Sequence, residues 1–174
     1  ITLTGDRHLT SYTYLVTHGD RKVEAVDPYV RSATVNGKRG VILDMARTNP
    51  AEWPFEAASF SGKPTDAVFY ELHVRDLGMN SASGITNKGK FVSLMEAGTT
   101  TPSGDVTGVD AIVDLGVTHL QLLPIYDYAS VDETKNTQFN WGYDPLNYNV
   151  PEGSYATDPT DPVLRVRELK DTIA

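Results

Sequence analysis

Residues 139–145 concentrate aromatic, amide and carboxyl side chains around a single glycine. The stretch contains Asn140, Trp141, Tyr143 and Asp144. A pyranose presents apolar C–H faces that stack on flat aromatic rings, and its rim of hydroxyl groups needs fixed donors and acceptors. These residue types therefore predict a sugar-binding loop, with stacking faces from the two aromatic residues and polar contacts from the amide and the carboxylate.

The same residues have a purely structural interpretation. Trp141 and Tyr143 could be core aromatics, and Asn140 could serve only to shape the turn. Gly142 between the two rings and the dipeptide 144–145 after them favour an exposed loop instead, because Gly and Pro interrupt regular structure.

Two histidines, His73 and His119, occupy matching places on two predicted strands and could form a metal pair, since His is a common ligand. We favour a buried pair of structural, hydrogen-bonded histidines. Glu71 and Arg75 share the predicted face of His73, and an internal ion pair explains them more simply than catalysis does.

A further acidic group consists of Asp127, Asp132 and Glu133. Calcium takes several oxygen ligands, but the spacing of these residues matches no EF-hand loop. We expect a solvated loop here, so no metal and no other cofactor is indicated. Trp53 could bind sugar or pack within a linker.

The composition of the 174 residues narrows the class of partner. Lys and Arg number 15 against 23 Asp and Glu, which gives a net charge of −8 without any basic run. Nucleic acid and an anionic membrane surface are therefore poor partners, whereas a neutral polymer is compatible. Cysteine is absent, which excludes disulfides and a cysteine nucleophile.

The sequence shows neither a signal-peptide pattern nor an apolar run near the ~18 residues of a membrane span. The compartment stays open. The chain starts at Ile1, and its first residues already resemble a strand. We therefore expect both ends to be cut from a longer polypeptide.

The elements that must position these residues fall into two halves. Residues 1–60 predict an all-β region, with a hairpin around Gly19 and a second turn at 36–37 before a strand at 41–43. Residues 49–64 hold three prolines and one glycine and resemble a linker.

From residue 66 the pattern alternates between strand and helix. We predict a strand at 67–76, a helix that ends at Gly116, a strand at 117–124, a long loop at 125–160, and a helix that begins at 161–162 with an apolar stripe, formed by Val166, Leu169 and Ile173. Strand, helix and strand in this order form a βαβ unit and imply a parallel sheet. Two such units cannot close an eight-stranded barrel, which needs about 250 residues.

Several segments of this sequence resemble type I pullulanases. Residues 70–76 and 116–124 are similar to the first two barrel strands of that family, and 35–44 resemble the end of the β-sandwich before the barrel. The loop matches nearly letter for letter, in the segments 130–133, 140–145 and 147–159. One departure is Phe139, where a Tyr commonly precedes the Asn; the change removes one hydroxyl group.

This resemblance implies a fold and a role. Residues 1–60 would be the C-terminal part of a starch-binding-type β-sandwich with its linker, and 66–174 the N-terminal part of a catalytic (β/α)8 TIM barrel. The family hydrolyses α-1,6-glucosidic linkages with retention, using two carboxyl groups about 5 Å apart. Because the family draws its catalytic carboxylates from strands four, five and seven, none is expected in this chain, which alone should be inactive.

By the same resemblance, Tyr143 stacks beneath the sugar at the cleavage point and Asp144 hydrogen-bonds its hydroxyl groups. The partners would be an α-glucan, such as pullulan or branched starch, and the remaining C-terminal part of the enzyme as a companion chain. Two alternatives stay open, an isoamylase-like debrancher and a stand-alone glucan-binding module without activity. The dipeptide 144–145 argues against the first, and the βαβ unit with its long loops argues against the second.

Overall fold

The computed structural model describes residues 2–51, Trp53 and 60–174. The predicted linker at 49–64 therefore lies partly outside the described residues. Within them the chain forms eight strands, β1 (Ser11–Tyr12), β2 (Tyr14–His18), β3 (Arg21–Ala25), β4 (Gly40–Val41), β5 (Phe69–Leu72), β6 (His119–Leu122), β7 (Tyr126–Tyr128) and β8 (Pro145–Pro151). The α-helices among these residues are α1 (Val74–Gly78), α2 (Gly108–Asp114) and α3 (Leu164–Ile173).

The first half is built from short antiparallel pairs. β2 and β3 form the predicted hairpin, whose turn contains Gly19 in the left-handed region with φ +58°. β1 pairs with β4, which is shorter than the strand expected at 41–43. The turn that precedes β4 contains Asn36 and Gly37, with φ +59° and +62°, and is closed by a bridge between Ala33 and Gly40. Asn and Gly are the residues that adopt this conformation most readily, so the dipeptide specifies the turn.

The second half contains the predicted βαβ unit. β5 and β6 pair in parallel, from Phe69 opposite His119 to Leu72 opposite Leu122, and α2 lies between them in sequence. Gly116 follows α2 with φ +69° and ends it, as expected. Among the described residues the sheet has two strands and forms no closed barrel.

The strand predicted at 67–76 is too long, because β5 stops at Leu72 and α1 follows from Val74. The last hydrogen bond of the parallel pair runs from the Leu123 amide to the Leu72 carbonyl at 2.8 Å. Pro124 comes next and has no N–H group to continue the ladder. Glu71, His73 and Arg75 therefore do not share one strand face.

The long loop predicted at 125–160 contains a β-hairpin that the sequence did not reveal. β7 and β8 pair antiparallel with register shifts, and Asp127 lies opposite Asn147. Both side chains are buried. Because polar residues occupy these inward positions, the alternation of apolar residues that identifies a half-buried strand is missing.

Helix α3 begins at Leu164, slightly later than the predicted start at 161–162, but Asp161 does contact its first turn. The Asp161 Oδ1 atom accepts hydrogen bonds from the backbone amides of Val163 and Leu164, which are among the otherwise unpaired donors of the first turn. The predicted apolar stripe is only partly correct. Val166 is buried, but Ile173 is 56% exposed.

The inner face of α3 carries charged residues as well. Arg165 and Glu168 are buried, whereas Lys170 reaches the first half of the chain, where its Nζ donates to Thr48 Oγ1 at 2.7 Å. The same Nζ lies 5.2 Å from the centroid of the Trp53 ring. This contact supports the packing role of that tryptophan.

The residues that the structure describes form two buried hydrophobic clusters. The larger lies between the βαβ unit and the loops above it, and consists of Leu72, Val74, Phe91, Leu94, Ile112, Tyr128 and Tyr155. The smaller joins Val30 and Ala33 of the first half to Val150 of β8. The two halves are therefore packed against each other through β8 and α3.

Within the described residues, both faces of the parallel sheet are uncovered near the start of its strands. The exposed apolar side chains are Phe69 on one face and Val68, Tyr70 and Leu120 on the other. Within the described part of the chain, no helix combines the length and the apolar character that crossing a membrane requires.

Candidate functional site

The aromatic loop at 139–144 projects its rings into solvent. Tyr143 is 68% exposed and Trp141 is 59% exposed. The rings of Phe139 and Trp141 meet edge to face, with centroids 5.2 Å apart. Large flat rings that stay exposed are available to stack on a ligand. The interpretation of Trp141 and Tyr143 as core aromatics is therefore wrong for this chain.

The backbone of this loop is pressed against the end of the parallel sheet. Gly142 has φ +86°, and a Cβ atom added there would lie 2.8 Å from Pro124 Cβ and 2.9 Å from Pro124 O. Asn140 Oδ1 accepts a hydrogen bond of 2.8 Å from the Gly142 amide. Both the left-handed conformation and the close approach require glycine, so Gly142 fixes the directions in which the neighbouring rings point.

The Asp144 carboxylate is held from both sides. Its Oδ1 accepts from Asn140 Nδ2 at 2.9 Å, and its Oδ2 accepts from the Ser130 hydroxyl. The hydrogen bond from Ser130 is the main cause that lowers the pKa of Asp144 below its usual range. The carboxylate is therefore ionised and oriented at neutral pH, with further lone pairs available to accept from a ligand hydroxyl group.

His73 supports the loop from below. Its Nε2 lies 2.8 Å from the Asn140 carbonyl oxygen and 3.2 Å from the Tyr155 hydroxyl, and its ring stacks on Phe139 with centroids 5.0 Å apart. Since a carbonyl can only accept, Nε2 carries the proton and donates to it. The structural role predicted for His73 is in keeping with these contacts.

The two histidines do not form a pair. His119 lies opposite Phe69 at the start of the parallel sheet, and His73 follows its far end. The Nδ1 atom of His119 lies 2.7 Å from Thr118 Oγ1, and its ring stacks on Phe69. Because the strands are parallel, side chains at opposite strand ends cannot share a metal ion.

The predicted ion pair of Glu71 and Arg75 is also absent from the described structure. Glu71 Oε2 accepts from Gln121 Nε2 at 2.8 Å, and Arg75 Nη2 donates to the Asn136 carbonyl at 3.3 Å. Glu71 and His73 line a cavity of about 380 Å³ beside Trp141. The aromatic loop thus borders a polar depression at the end of the sheet.

The expectation of a solvated acidic loop is wrong for two of its three residues. Asp127 and Glu133 are buried, and with Glu152 they form a cluster whose oxygen atoms lie within 4.8 Å of one another. Asp132 stays near the surface, where it pairs with Lys135 at 2.9 Å. Among the described residues this is the one place where three or more carboxyl or imidazole groups come so close together.

The structure thus brings Asn140, Trp141, Tyr143 and Asp144 together in one loop, as the sequence predicts; their contact with a sugar stays a prediction. Sequence reasoning missed Ser130 and Tyr155. The segment around Ser130 was identified only through its resemblance, and no local pattern indicates that its hydroxyl reaches Asp144.

Comparisons with known proteins address the family. No model of a protein family matches the chain. The pullulanase of Bacillus subtilis (strain 168) is 44% identical over 174 residues, which cover 99% of this chain and 24% of that protein. Pullulanase A of Streptococcus pneumoniae is 32% identical over 93% of this chain and 14% of its own length. The chain thus spans about a quarter or less of these curated relatives.

Solved structures agree with this match. The pullulanase of Paenibacillus barengoltzii, in complex with maltohexaose and α-cyclodextrin, superposes with a TM-score of 0.90 and 55% identity, over 93% of this chain and 26% of that one. The pullulanase of Bacillus acidopullulyticus superposes with a TM-score of 0.92 and 44% identity, over 98% of this chain and 21% of that one. Sequence and structure together show that the chain belongs to the pullulanases and corresponds to one segment of them.

Proposed function

We propose that this chain supplies the sugar-binding loop of an enzyme that hydrolyses α-1,6-glucosidic linkages in pullulan, amylopectin and related α-glucans. The observation that carries the proposal is the loop at 139–144, where exposed aromatic rings stand next to an ionised, oriented carboxylate. The similar P. barengoltzii enzyme binds maltohexaose and α-cyclodextrin, which are α-glucans.

In this proposal Tyr143 stacks on the apolar face of the sugar at the cleavage point, and Trp141 extends the platform. Asp144 accepts hydrogen bonds from the sugar hydroxyl groups, and Asn140 orients Asp144. Hydrogen bonds to an ionised acceptor are about twice as strong as those to a neutral one. The Asp144 carboxylate would therefore hold the sugar in one orientation on the face of the Tyr143 ring.

The reacting carboxyl groups are proposed to come from another part of the polypeptide. Retaining hydrolysis needs a nucleophile and an acid/base about 5 Å apart, on either side of the scissile bond. Asp144 is a poor candidate for acid/base, because its pKa is lowered and the group holds no proton at neutral pH. Its role is therefore to bind the substrate.

We also propose that residues 66–174 begin a (β/α)8 barrel and that residues 1–60 end a β-sandwich. The parallel βαβ unit and the exposed apolar side chains of the sheet support the first assignment, since parallel sheets are normally covered on both faces. The remaining part of the barrel would cover Phe69 and Leu120.

The test of the proposed function uses the intact protein, meaning the full-length polypeptide to which this chain belongs, and two substrates. Release of reducing sugar from pullulan would be compared with release from linear amylose, which lacks α-1,6 linkages. We expect turnover of pullulan that Asp144→Ala strongly impairs. Turnover of amylose alone would contradict the proposed linkage, and an unchanged rate in Asp144→Ala would contradict the proposed role of the loop.

A further inference from the structure

Three carboxyl groups are buried together at the place where the two halves of the chain meet. Asp127 on β7, Glu133 in the loop that follows and Glu152 directly after β8 have oxygen atoms within 4.8 Å of one another. One guanidinium group, that of Arg165 on α3, pairs with Glu133 at 3.0 Å and is itself fully buried. If all three carboxyl groups were ionised, three negative charges would face one positive charge.

The oxygen atoms of Glu133 are already occupied. Oε2 accepts from the Asn36 amide at 2.6 Å and from Arg165 Nη2, and Oε1 accepts from the Gly153 amide at 3.1 Å and from Arg165 Nη1 at 3.2 Å. These four donors include both Nη atoms of the Arg165 guanidinium group, which forms a bidentate ion pair with Glu133. Glu133 is therefore the carboxylate of the cluster.

The other two carboxyl groups differ in their donors. Both oxygens of Glu152 accept backbone hydrogen bonds, from the amides of Ser154 at 2.9 Å and Tyr128 at 3.1 Å. In Asp127, Oδ2 accepts from Asn147 Nδ2, whereas Oδ1 is buried and has no hydrogen-bond partner. A buried carboxylate oxygen without a donor is strongly unfavourable, whereas a protonated one becomes a donor to a neighbouring carboxylate.

We propose that the cluster of Asp127, Glu133 and Glu152 is a buried proton-binding site, in which one proton resides on Asp127 Oδ1 and is shared with a neighbouring carboxylate oxygen. No bond other than O–H forms or breaks, and the proton comes from solvent. The inference is independent of the proposed hydrolysis.

A divalent cation fits this donor set less well than a proton. Calcium takes six to eight oxygen ligands, but the oxygens of Glu133 and Glu152 already accept N–H groups, and Arg165 already supplies a cation. The remaining free oxygen is Asp127 Oδ1. A single oxygen without a donor needs one hydrogen atom, and a bound proton supplies it.

The site also secures the contact between the two halves. Asn147 Nδ2, which donates to Asp127, also donates to the Gly37 carbonyl at 3.1 Å. A Cβ atom at Gly37 would lie 2.3 Å from Asp127 Oδ2. The turn at 36–37 is thus docked directly on the cluster, so an added negative charge at Asp127 weakens the docking of the first half.

The other titratable groups around the cluster do not replace the proton. Burial raises the pKa of the Tyr128 hydroxyl to about 12, so it stays neutral. Lys90, whose charge acts on Glu152, donates its Nζ hydrogen to the Ser154 carbonyl at 2.8 Å. The turn at 36–37 brings no titratable side chain.

The expected pH dependence follows from burial. Burial raises the pKa of Asp127 to about 7, and the charges of Glu133 and Glu152 add to this rise. Burial also raises the pKa of Glu152 to about 7, but a proton on Asp127 removes one negative charge beside Glu152, so the two groups take up one proton between them in this range. An unfolded Asp has a pKa near 3.9, so between about pH 4 and pH 7 the folded state binds a proton that the unfolded state has released. The stabilising effect of this proton is therefore complete below about pH 4 and is lost as the pH rises through 7.

The experiment measures unfolding of the intact protein in urea at about pH 5, 6 and 7. For one proton, the folding equilibrium constant should fall by up to tenfold per pH unit in the parent protein. Asp127→Asn supplies a permanent N–H donor and should reduce this pH dependence. Asp132→Asn is the control, because the pKa of that exposed group is lowered and it titrates below the window. An equal pH dependence in Asp127→Asn and the parent would overturn the proposal.

A second measurement keeps the proposal testable if Asp127→Asn fails to fold. Infrared spectra of the parent protein at about pH 5 and pH 8 should show the carbonyl band of a buried protonated carboxyl group at the lower pH only. Absence of this band at the lower pH would overturn the proposal. Calcium chloride should leave the melting temperature at the higher pH unchanged; a rise that EDTA reverses would show that the site binds a cation instead.

Discussion

At the scale of single residues, the flat face of Tyr143 is expected to matter more than its hydroxyl group. In the intact protein, Tyr143→Ala should lower kcat/KM for α-1,6 cleavage roughly 10- to 1000-fold, at ~1.4 kcal/mol per tenfold change. In the proposed role, stacking would steady the sugar as it flattens toward an oxocarbenium-like transition state, so kcat should fall as well as the affinity. The measurement is steady-state kinetics on pullulan.

Tyr143→Phe is the matched control for that substitution. It keeps the ring and removes the hydroxyl group, and Tyr143 is exposed, so neither variant should disturb the core. We expect Tyr143→Phe to retain most of the activity. Near-normal kcat/KM in Tyr143→Ala, with an unchanged melting temperature, would contradict the stacking role.

Ser130 is expected to act through Asp144. Ser130→Ala removes the donor to Asp144 Oδ2, whereas Asp144 keeps its contact with Asn140. We therefore expect kcat/KM to fall by about 3- to 10-fold, less than in Asp144→Asn, which removes the charge itself. Ser130→Thr keeps the hydroxyl group and should restore most of the activity. Equal losses in the Ala and Thr variants would contradict this positioning role.

How far the sequence predicted the site depends on whether its contacts are local. Asn140, Trp141, Tyr143 and Asp144 lie within five positions, so a loop must bring them together and their residue types predict the chemistry. The supports of this loop come from elsewhere in the chain. His73 lies 67 positions from the carbonyl that it contacts, and no local pattern encodes such a pairing.

At the scale of elements, Gly142 determines the shape of the aromatic loop. Gly142→Ala combines a left-handed φ with a Cβ placed 2.9 Å from the Pro124 carbonyl oxygen. The conformation alone costs about 1–2 kcal/mol, and the contact adds to this cost, so the loop should shift and α-glucan hydrolysis should fall. The measurements are the melting temperature and kcat/KM.

Gly104→Ala is the control for the close contact. Gly104 has φ +94°, but an added Cβ would have no atom within 4 Å. Gly104→Ala should lose only the stability that the left-handed conformation costs a residue with a Cβ atom, and it should keep its activity. Equal changes in melting temperature and kcat/KM in Gly142→Ala and Gly104→Ala would show that the close contact between Gly142 and Pro124 is not needed for activity.

Helix α3 shows the cost of removing a buried ion-pair partner. Arg165→Met leaves the Glu133 carboxylate buried without its counter-ion, and breaking a buried pair in this way costs about 3–5 kcal/mol. Arg167→Met, on the exposed side of the same helix, should cost far less. Urea unfolding of both variants measures the difference; equal stability of the two would contradict the structural role of Arg165.

The same helix illustrates why the elements were only partly predictable. Its start could be read from Asp161 and the proline that follows, because capping is a local interaction. The burial of Arg165 and Glu168 could not be predicted in this way, because a charged residue is buried only when a partner compensates for its charge. Here the partners lie outside the helix, on β8 and in loops. The β7–β8 hairpin was not predicted for the same reason. Its buried residues Asp127 and Asn147 lie opposite each other and form a hydrogen bond, which the sequence does not indicate.

At the scale of the whole molecule, the parallel sheet packs against the larger hydrophobic cluster at the end of its strands and is open on both faces near their start. Leu72, at the end of β5, and Val74, at the start of α1, are buried within this chain. Val68, Phe69 and Leu120 stay exposed. Covering such side chains is worth ~1.5–3 kcal/mol each, which is substantial beside the ~5–15 kcal/mol stability of a domain.

The final prediction concerns the 174-residue chain produced by itself. It should release no reducing sugar from pullulan, because the carboxyl groups proposed to react lie elsewhere in the polypeptide. The exposed apolar side chains of its sheet should also make it self-associate in size-exclusion chromatography, and Phe69→Lys on one face with Leu120→Lys on the other should reduce that association. Val113→Lys, on an exposed position of α2, is the control for added charge away from the sheet. Sustained hydrolysis by the purified chain would contradict the proposal that the reacting carboxyl groups lie elsewhere in the polypeptide. A monomer that melts sharply without either substitution would contradict the proposal that the rest of the barrel covers this sheet.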